Sequence, residues 1–155
     1  MNDDIGIAEQ DRQTISNGLS RLLADTYALY LKTQNFHWNL TGREFYSYHL
    51  LFEKQYEELA EAVDEIAERI RALGYFVDAS FTAFDQLTGI KGENRVLISS
   101  DMVNSLVEGH QILIKHARSA AALADERGDF ATVDMIGRRL GAHEKMAWML
   151  QSGQI

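Results

Sequence analysis

Apolar residues recur along most of the chain at alternating steps of three and four, the spacing that lines one face of an α-helix. From about Glu9 to Phe36, the positions Ile15, Leu19, Leu22, Thr26, Leu29, Thr33 and Phe36 form one such stripe. A second, from about Glu44 to Leu73, holds Phe45, Phe52, Tyr56, Leu59, Val63, Ile66 and Ile70, and Gly74 is placed to cap it. A third opens at Ser99, Ser100 or Asp101 and runs to Arg127 through Val103, Leu106, Leu113, Ala117, Ala120 and Ala124, stopping before Gly128. The last begins at Asp129 and ends near Ser152 to Gly153, with Val133, Ile136, Leu140, Ala147 and Leu150 inward. The chain has no proline, so no missing amide interrupts these segments. The pattern predicts an all-α protein built on four long helices.

The connections between the stripes select the topology. Thr41 and Glu44 have the T-x-x-E form of a capping box around Gly42, which predicts a tight turn between the first two helices. The link from about Tyr75 to Leu97 is long, contains Gly89 and Gly92, and predicts a short helix in its FTAFDQLTG portion. An up-down-up-down bundle needs only short loops, whereas one long crossover between the second and third long helices is the ferritin-like arrangement. At 155 residues, 46% of them hydrophobic, the chain supports one packed core and is too short for a second domain. Residues 1–155 are therefore expected to form one ferritin-like four-helix bundle with short tails, carrying a short helix in its long crossover.

Chemistry concentrates around the first turn. His37 and His49 lie at nearly equal distances from Gly42, so an antiparallel hairpin brings their imidazoles together. One helical turn after His49 comes Glu53, and Asp64 and Glu68 repeat that spacing further along the same helix. Glu53 and Asp64 are separated by ~16 Å of helix. A metal holds its ligands within ~2 to 2.5 Å, so one helix cannot close this site. An antiparallel copy of the helix can, because His49 with Glu68, and Glu53 with Asp64, are symmetric about the point between Glu58 and Leu59. Such an isologous dimer carries two identical sites roughly 22 Å apart. Two imidazoles and three carboxylates with room for an oxidant suit redox iron better than a closed structural zinc site. The competing reading takes Glu57, Glu58, Glu61, Glu65 and Glu68 as a solvated acidic face.

The segments YLKTQNFHWNLTG (Tyr30 to Gly42), Tyr48-His49-Leu50-Leu51-Phe52-Glu53 and AVDEIAERIRALG (Ala62 to Gly74) resemble the signature of Dps, the DNA-binding protein from starved cells, a ferritin-like mini-ferritin. The similarity spans about Ile5 to Gln151, and its K-T-x-N-F-H-W-N segment is highly specific. The resemblance implies a hollow dodecamer with ferroxidase centres at its two-fold interfaces. The ligands then fall on His37, His49 and Glu53 of one subunit and on Asp64 and Glu68 of its neighbour, with two iron sites per interface. Many members carry Asp where this chain has Glu53, and either carboxylate can ligate. The resemblance also implies hydrogen peroxide as oxidant, ferric storage in the cavity, and acidic pores at three-fold axes, for which Asp129 and Asp134 are the candidates here. Asp at a helix N-terminus is otherwise explained by capping alone.

Three further residues carry open readings. His110 and His143 fall on apolar stripes, and either ligate a metal in the bundle core or are satisfied core histidines; no histidine here follows a Glu by three positions, which favours the core. Trp38, beside His37, is either a packing residue or one that intercepts oxidising equivalents from the iron site.

Charge bears on the DNA binding that the family name suggests. The net charge is -8 and the N-terminus carries Asp3, Asp4, Glu9 and Asp11, while the C-terminus ends QSGQI. DNA affinity comes largely from Lys and Arg neutralising phosphates, so DNA binding is expected to be weak or absent. A nucleoid-compacting protein with incidental metal affinity is the alternative this charge disfavours. With no cysteine, no apolar run of membrane-spanning length and an acidic start, the chain is expected to be cytoplasmic.

Overall fold

The computed structural model describes residues 4–154, so Asp3 and Ile155 of the two tails lie outside the described residues. Five helices follow one another: α1 (Glu9–Asn39), α2 (Phe45–Ala72), α3 (Phe81–Leu87), α4 (Ser99–Glu126) and α5 (Phe130–Ser152). Helix α1 packs on α2, α3 and α4, and α5 packs on α4 and α2. The four long helices enclose one core, in which Leu19, Leu22, Leu29, Phe52, Leu59, Ile66, Leu106, Leu113, Ile136 and Leu150 are fully buried. Each such side chain contributes about 1.5–3 kcal/mol on leaving water. The long crossover runs between α2 and α4 and contains α3, which gives the four-helix ferritin-like class expected from the sequence.

Local chemistry accounts for the ends. The Ser80 hydroxyl accepts from the Ala83 amide to open α3, and Asp129 accepts from the Thr132 amide to open α5. Gly74 and Gly128 follow α2 and α4 at φ +99° and +70°, left-handed conformations that glycine adopts without strain. The turn after α1 departs from the capping-box expectation: Glu44 stands at the N-cap of α2, and no side chain caps it. The positive φ of Gly42, +107°, reverses the chain there, and the Phe45 amide bonds to the Gly42 carbonyl at 3.2 Å. Phe45, expected in the core, is exposed: it is the first residue of α2, at the turn, and stacks on His49 instead.

The crossover is fastened from inside the bundle. Asp25 of α1, with no exposed surface, accepts from the Thr88 hydroxyl at 2.8 Å, the Gly89 amide at 2.9 Å and Nδ1 of His116 on α4 at 2.5 Å. One carboxylate thus joins α1, α4 and the end of the crossover.

Candidate metal centre

Helix α1 extends to Asn39, which puts His37 in its last turn, where backbone carbonyls lack an intrahelical partner. Nδ1 of His49 donates to the His37 carbonyl at 2.9 Å, and Nδ1 of His37 donates to the His49 carbonyl at 2.8 Å. Carbonyl oxygen only accepts, so each Nδ1 carries a proton, and Nε2 is the ring nitrogen left to a ligand. The rings stack at 3.8 Å with 12° between their planes. Phe45 stacks on His49 at 4.8 Å, and Tyr56 meets His37 edge-on at 5.2 Å. His37 is buried and His49 half-buried. Both imidazoles are therefore oriented through Nδ1 by a backbone carbonyl, the kind of bond that orients metal-binding histidines.

The carboxylates of α2 divide into two groups. Glu58 forms a bidentate pair with Arg139 of α5, and Glu65 accepts from Arg138 at 2.7 Å. By contrast, Glu53, Asp64 and Glu68 make no ion pair among the described residues, and neither do Glu57 and Glu61. Glu53 is half-buried one turn beyond His49, whereas Asp64 and Glu68 are exposed further along the helix. Among the described residues no three His, Cys, Asp or Glu side chains converge on one point within the chain. Of the predicted ligands the structure brings together His37 and His49; Glu53 follows one turn on, and Asp64 and Glu68 stand further along α2.

His110 and His143 are fully buried core residues. Arg139 donates to Nε2 of His143 at 3.0 Å, so the His143 proton sits on Nδ1, which donates to Nδ1 of His110 at 3.0 Å. That leaves Nε2–H of His110 without a partner. Burial, then the nearby Arg139 charge, pushes His110 down to about 3; burial, then His110 and Arg139, also lowers His143. Both rings stay neutral at ordinary pH.

Asp129, one of the two pore candidates, is engaged within the chain. Its carboxylate is buried and accepts from Arg69 at 2.8 Å and from the amide and hydroxyl of Thr132 at 3.1 and 2.5 Å. Burial alone would raise its pKa, but the Thr132 bonds and Arg69 hold it below the usual carboxylate range. Three donors thus hold it in place, two on one carboxylate oxygen and one on the other. Asp134 is exposed beside Arg138 at 3.4 Å, and Trp38 is 63% exposed without a ring contact among the described residues. Sequence reasoning missed Asp25 and His116 altogether and took Tyr56 only as a core position.

The chain resembles known proteins over nearly its whole length. It is 39% identical over 151 residues, 96% of this chain and 84% of the relative, to an uncharacterized low temperature-induced protein of Nostoc. It is 35% identical to the DNA protection during starvation protein of Porphyromonas gingivalis, across 95% of this chain and 92% of that one. The Dps protein of Vibrio cholerae O1, described as a member of a superfamily of ferritin-like diiron-carboxylate proteins, superposes with a TM-score of 0.94 at 32% identity, covering 98% of this chain and 96% of that one. A ferritin-like domain matches residues 16–153. With this domain spanning all four long helices and Dps proteins as relatives in both sequence and structure, the chain belongs to the ferritin-like family, in its Dps branch of mini-ferritins.

Proposed function

We propose that the protein is a ferroxidase and iron-storage subunit that protects against oxidative damage. Fe²⁺ is its substrate, bound by Nε2 of His37 and His49 and by Glu53 of one subunit, together with Asp64 and Glu68 of the partner subunit. The observation that carries this reading is the reciprocal bond between the two histidines and each other's backbone, which commits both Nδ1 atoms and leaves both Nε2 atoms to a ligand. Among the described residues Glu53, Asp64 and Glu68 make no ion pair, as Glu57 and Glu61 do not, so they are available as ligands, whereas Glu58 and Glu65 are engaged by arginines.

Hydrogen peroxide is the oxidant in this reading, taking one electron from each of two Fe²⁺ ions so that hydroxyl radical is not released. The carboxylates stabilise the ferric product, and the neutral imidazoles fix the iron without adding charge. The ferric mineral is stored in a hollow homo-oligomer, a dodecamer with two sites at each two-fold interface, in the cytoplasm.

Anaerobic Fe²⁺ loading followed by peroxide, with assembly followed by light scattering, tests this. Wild type is expected to oxidise iron rapidly, and assembled Asp64→Ala to lose that activity. Equal rates in the two proteins would make Asp64 part of a solvated acidic face.

A second reading, a DNA-compacting protein with incidental metal binding, is favoured by the names of relatives such as the nutrient stress-induced DNA-binding protein of Nostoc. The net charge of -8 weighs against it.

A further inference from the structure

Three tyrosines run in ring-to-ring contact away from His37. Tyr56 of α2 meets the His37 ring edge-on at 5.2 Å and 82°. Tyr30 of α1 meets Tyr56 at 6.1 Å and 72°, and Tyr27 meets Tyr30 at 5.8 Å and 71°. All three are half-buried. The chain has no cysteine, so tyrosine, tryptophan and methionine are its readily oxidised side chains. Trp38 adjoins His37 in sequence, yet its ring is 63% exposed and touches neither histidine ring. The oxidisable ring against the candidate ligand is the Tyr56 phenol.

We propose that Tyr56 is an electron donor to the iron site, backed by Tyr30, and supplies the second electron for peroxide reduction when only one Fe²⁺ is bound. This rests on the ferroxidase reading given above. Peroxide needs two electrons, and a single Fe²⁺ gives one. In the balanced step, Fe²⁺, the Tyr56 phenol and H₂O₂ yield Fe³⁺, the Tyr56 phenoxyl radical, H₂O and OH⁻. The O–O bond breaks, iron and tyrosine each lose one electron, and the phenolic proton ends in water. A second Fe²⁺ then returns one electron to the radical, which takes up a proton, and becomes Fe³⁺ itself. The sum is the two-iron reaction, with no hydroxyl radical formed at either stage.

The surroundings of Tyr56 fit a reversible donor. Its ring is half-buried between His37 and Tyr30, in edge-on contact with both. The Tyr30 hydroxyl accepts from Gln34 Nε2 at 3.0 Å, which holds the next ring of the series in place. Edge-to-face contacts leave both rings packed and partly shielded from solvent.

Freeze-quench electron paramagnetic resonance on the assembled protein tests the proposal, with Fe²⁺ at one per predicted site and then peroxide. Wild type is expected to give a tyrosyl signal that disappears when a second Fe²⁺ is added, with little hydroxyl radical reaching a spin trap. Tyr56→Phe keeps the ring and its packing; it is expected to lose the tyrosyl signal and to release more trapped radical, while still oxidising iron at full loading. Trp38→Phe is expected to keep the signal. Protein-dependent iron oxidation without a tyrosyl signal, or with a signal that survives in Tyr56→Phe, would overturn the relay and leave the ferroxidase reading standing. No protein-dependent oxidation in wild type would overturn both.

Discussion

Asp25 of α1 and His116 of α4 form a pair at 2.5 Å, and the same carboxylate accepts from Thr88 and Gly89 of the crossover. Arg21 donates to the other ring nitrogen of His116 at 2.8 Å, so this imidazole is bonded at both ends. Removing the carboxylate strands a hydroxyl, an amide and an imidazole N–H in or near the core. Each buried donor left unsatisfied costs about 1–3 kcal/mol. Asp25→Ala is therefore expected to destabilise the protein by about 2–4 kcal/mol and to loosen the end of the crossover first. Chemical denaturation measures the first effect, and hydrogen exchange at the Gly89 amide the second. Unchanged protection of that amide would mean that α3 and Ile90 hold the crossover without Asp25.

The neutral His110–His143 pair makes stability fall in acid. Both pKa values are lower in the folded chain than in the unfolded one, His110 at about 3. Below pH ~6.5 the unfolded chain binds protons that the folded core refuses, so stability is lost as pH falls from there toward 3. Each histidine contributes a slope of about 1.4 kcal/mol per pH unit in that window. Other groups titrate there too, so the comparison is with His110→Leu, expected to have a shallower acid limb in pH-dependent denaturation. Parallel limbs would mean that the pair takes up protons without unfolding.

Two aspartates grouped by sequence are expected to separate in experiment. Asp129→Asn weakens the N-cap of α5 and its pair with Arg69, and should cost about 1–2 kcal/mol of stability. Asp134→Asn removes an exposed charge and should leave stability unchanged within about 0.5 kcal/mol. If Asp134 helps to draw cations toward the interior, that variant slows iron uptake while assembly stays intact. Stopped-flow uptake and thermal unfolding read the two effects, and equal uptake by Asp134→Asn and wild type would remove the pore role.

DNA binding offers a test on charge alone. A surface with net charge -8 repels phosphates, and Asp4, Glu9 and Asp11 place part of that charge in the described N-terminal stretch. A gel shift at physiological salt is expected to show no retarded band. A tight complex that weakens steeply with added salt would require a localised basic face and would revive the compaction reading.

What the sequence disclosed follows from how far each interaction reaches. The helices were legible because burial repeats every 3.6 residues, and Leu19, Leu22, Phe52, Leu59, Ile66 and Ile136 lie where that period puts them. The meeting of His37 and His49 was legible because a short turn relates residues at equal distance from it. Asp25 and His116 escaped notice because they lie 91 positions apart, on helices whose relative rotation no local pattern encodes. The bond from Arg69 to Asp129 has no local signature for the same reason, since the two lie 60 positions apart. Tyr56 fitted its apolar stripe so well that its contact with His37 had no separate signature.

The same long-range pairing decides which carboxylates of α2 are tied to α5 and which are left unpaired among the described residues. Glu58 and Glu65 are held by Arg139 and Arg138 of α5, while Asp64 and Glu68, on the same helix, carry no ion pair among the described residues. Glu58→Ala leaves the buried Arg139 guanidinium facing the neutral His143. It should destabilise the protein by about 2 kcal/mol, less than the ~3–5 of a fully buried pair because Glu58 is 38% exposed. Its iron oxidation in the assembled state is expected to match wild type. Glu68→Ala should do the reverse, with stability within about 0.5 kcal/mol and iron oxidation lost. Denaturation and peroxide-driven oxidation on both variants measure the split. A Glu58→Ala protein that assembles yet fails to oxidise iron would move the site onto Glu58, and with it the two-fold register that pairs His49 with Glu68.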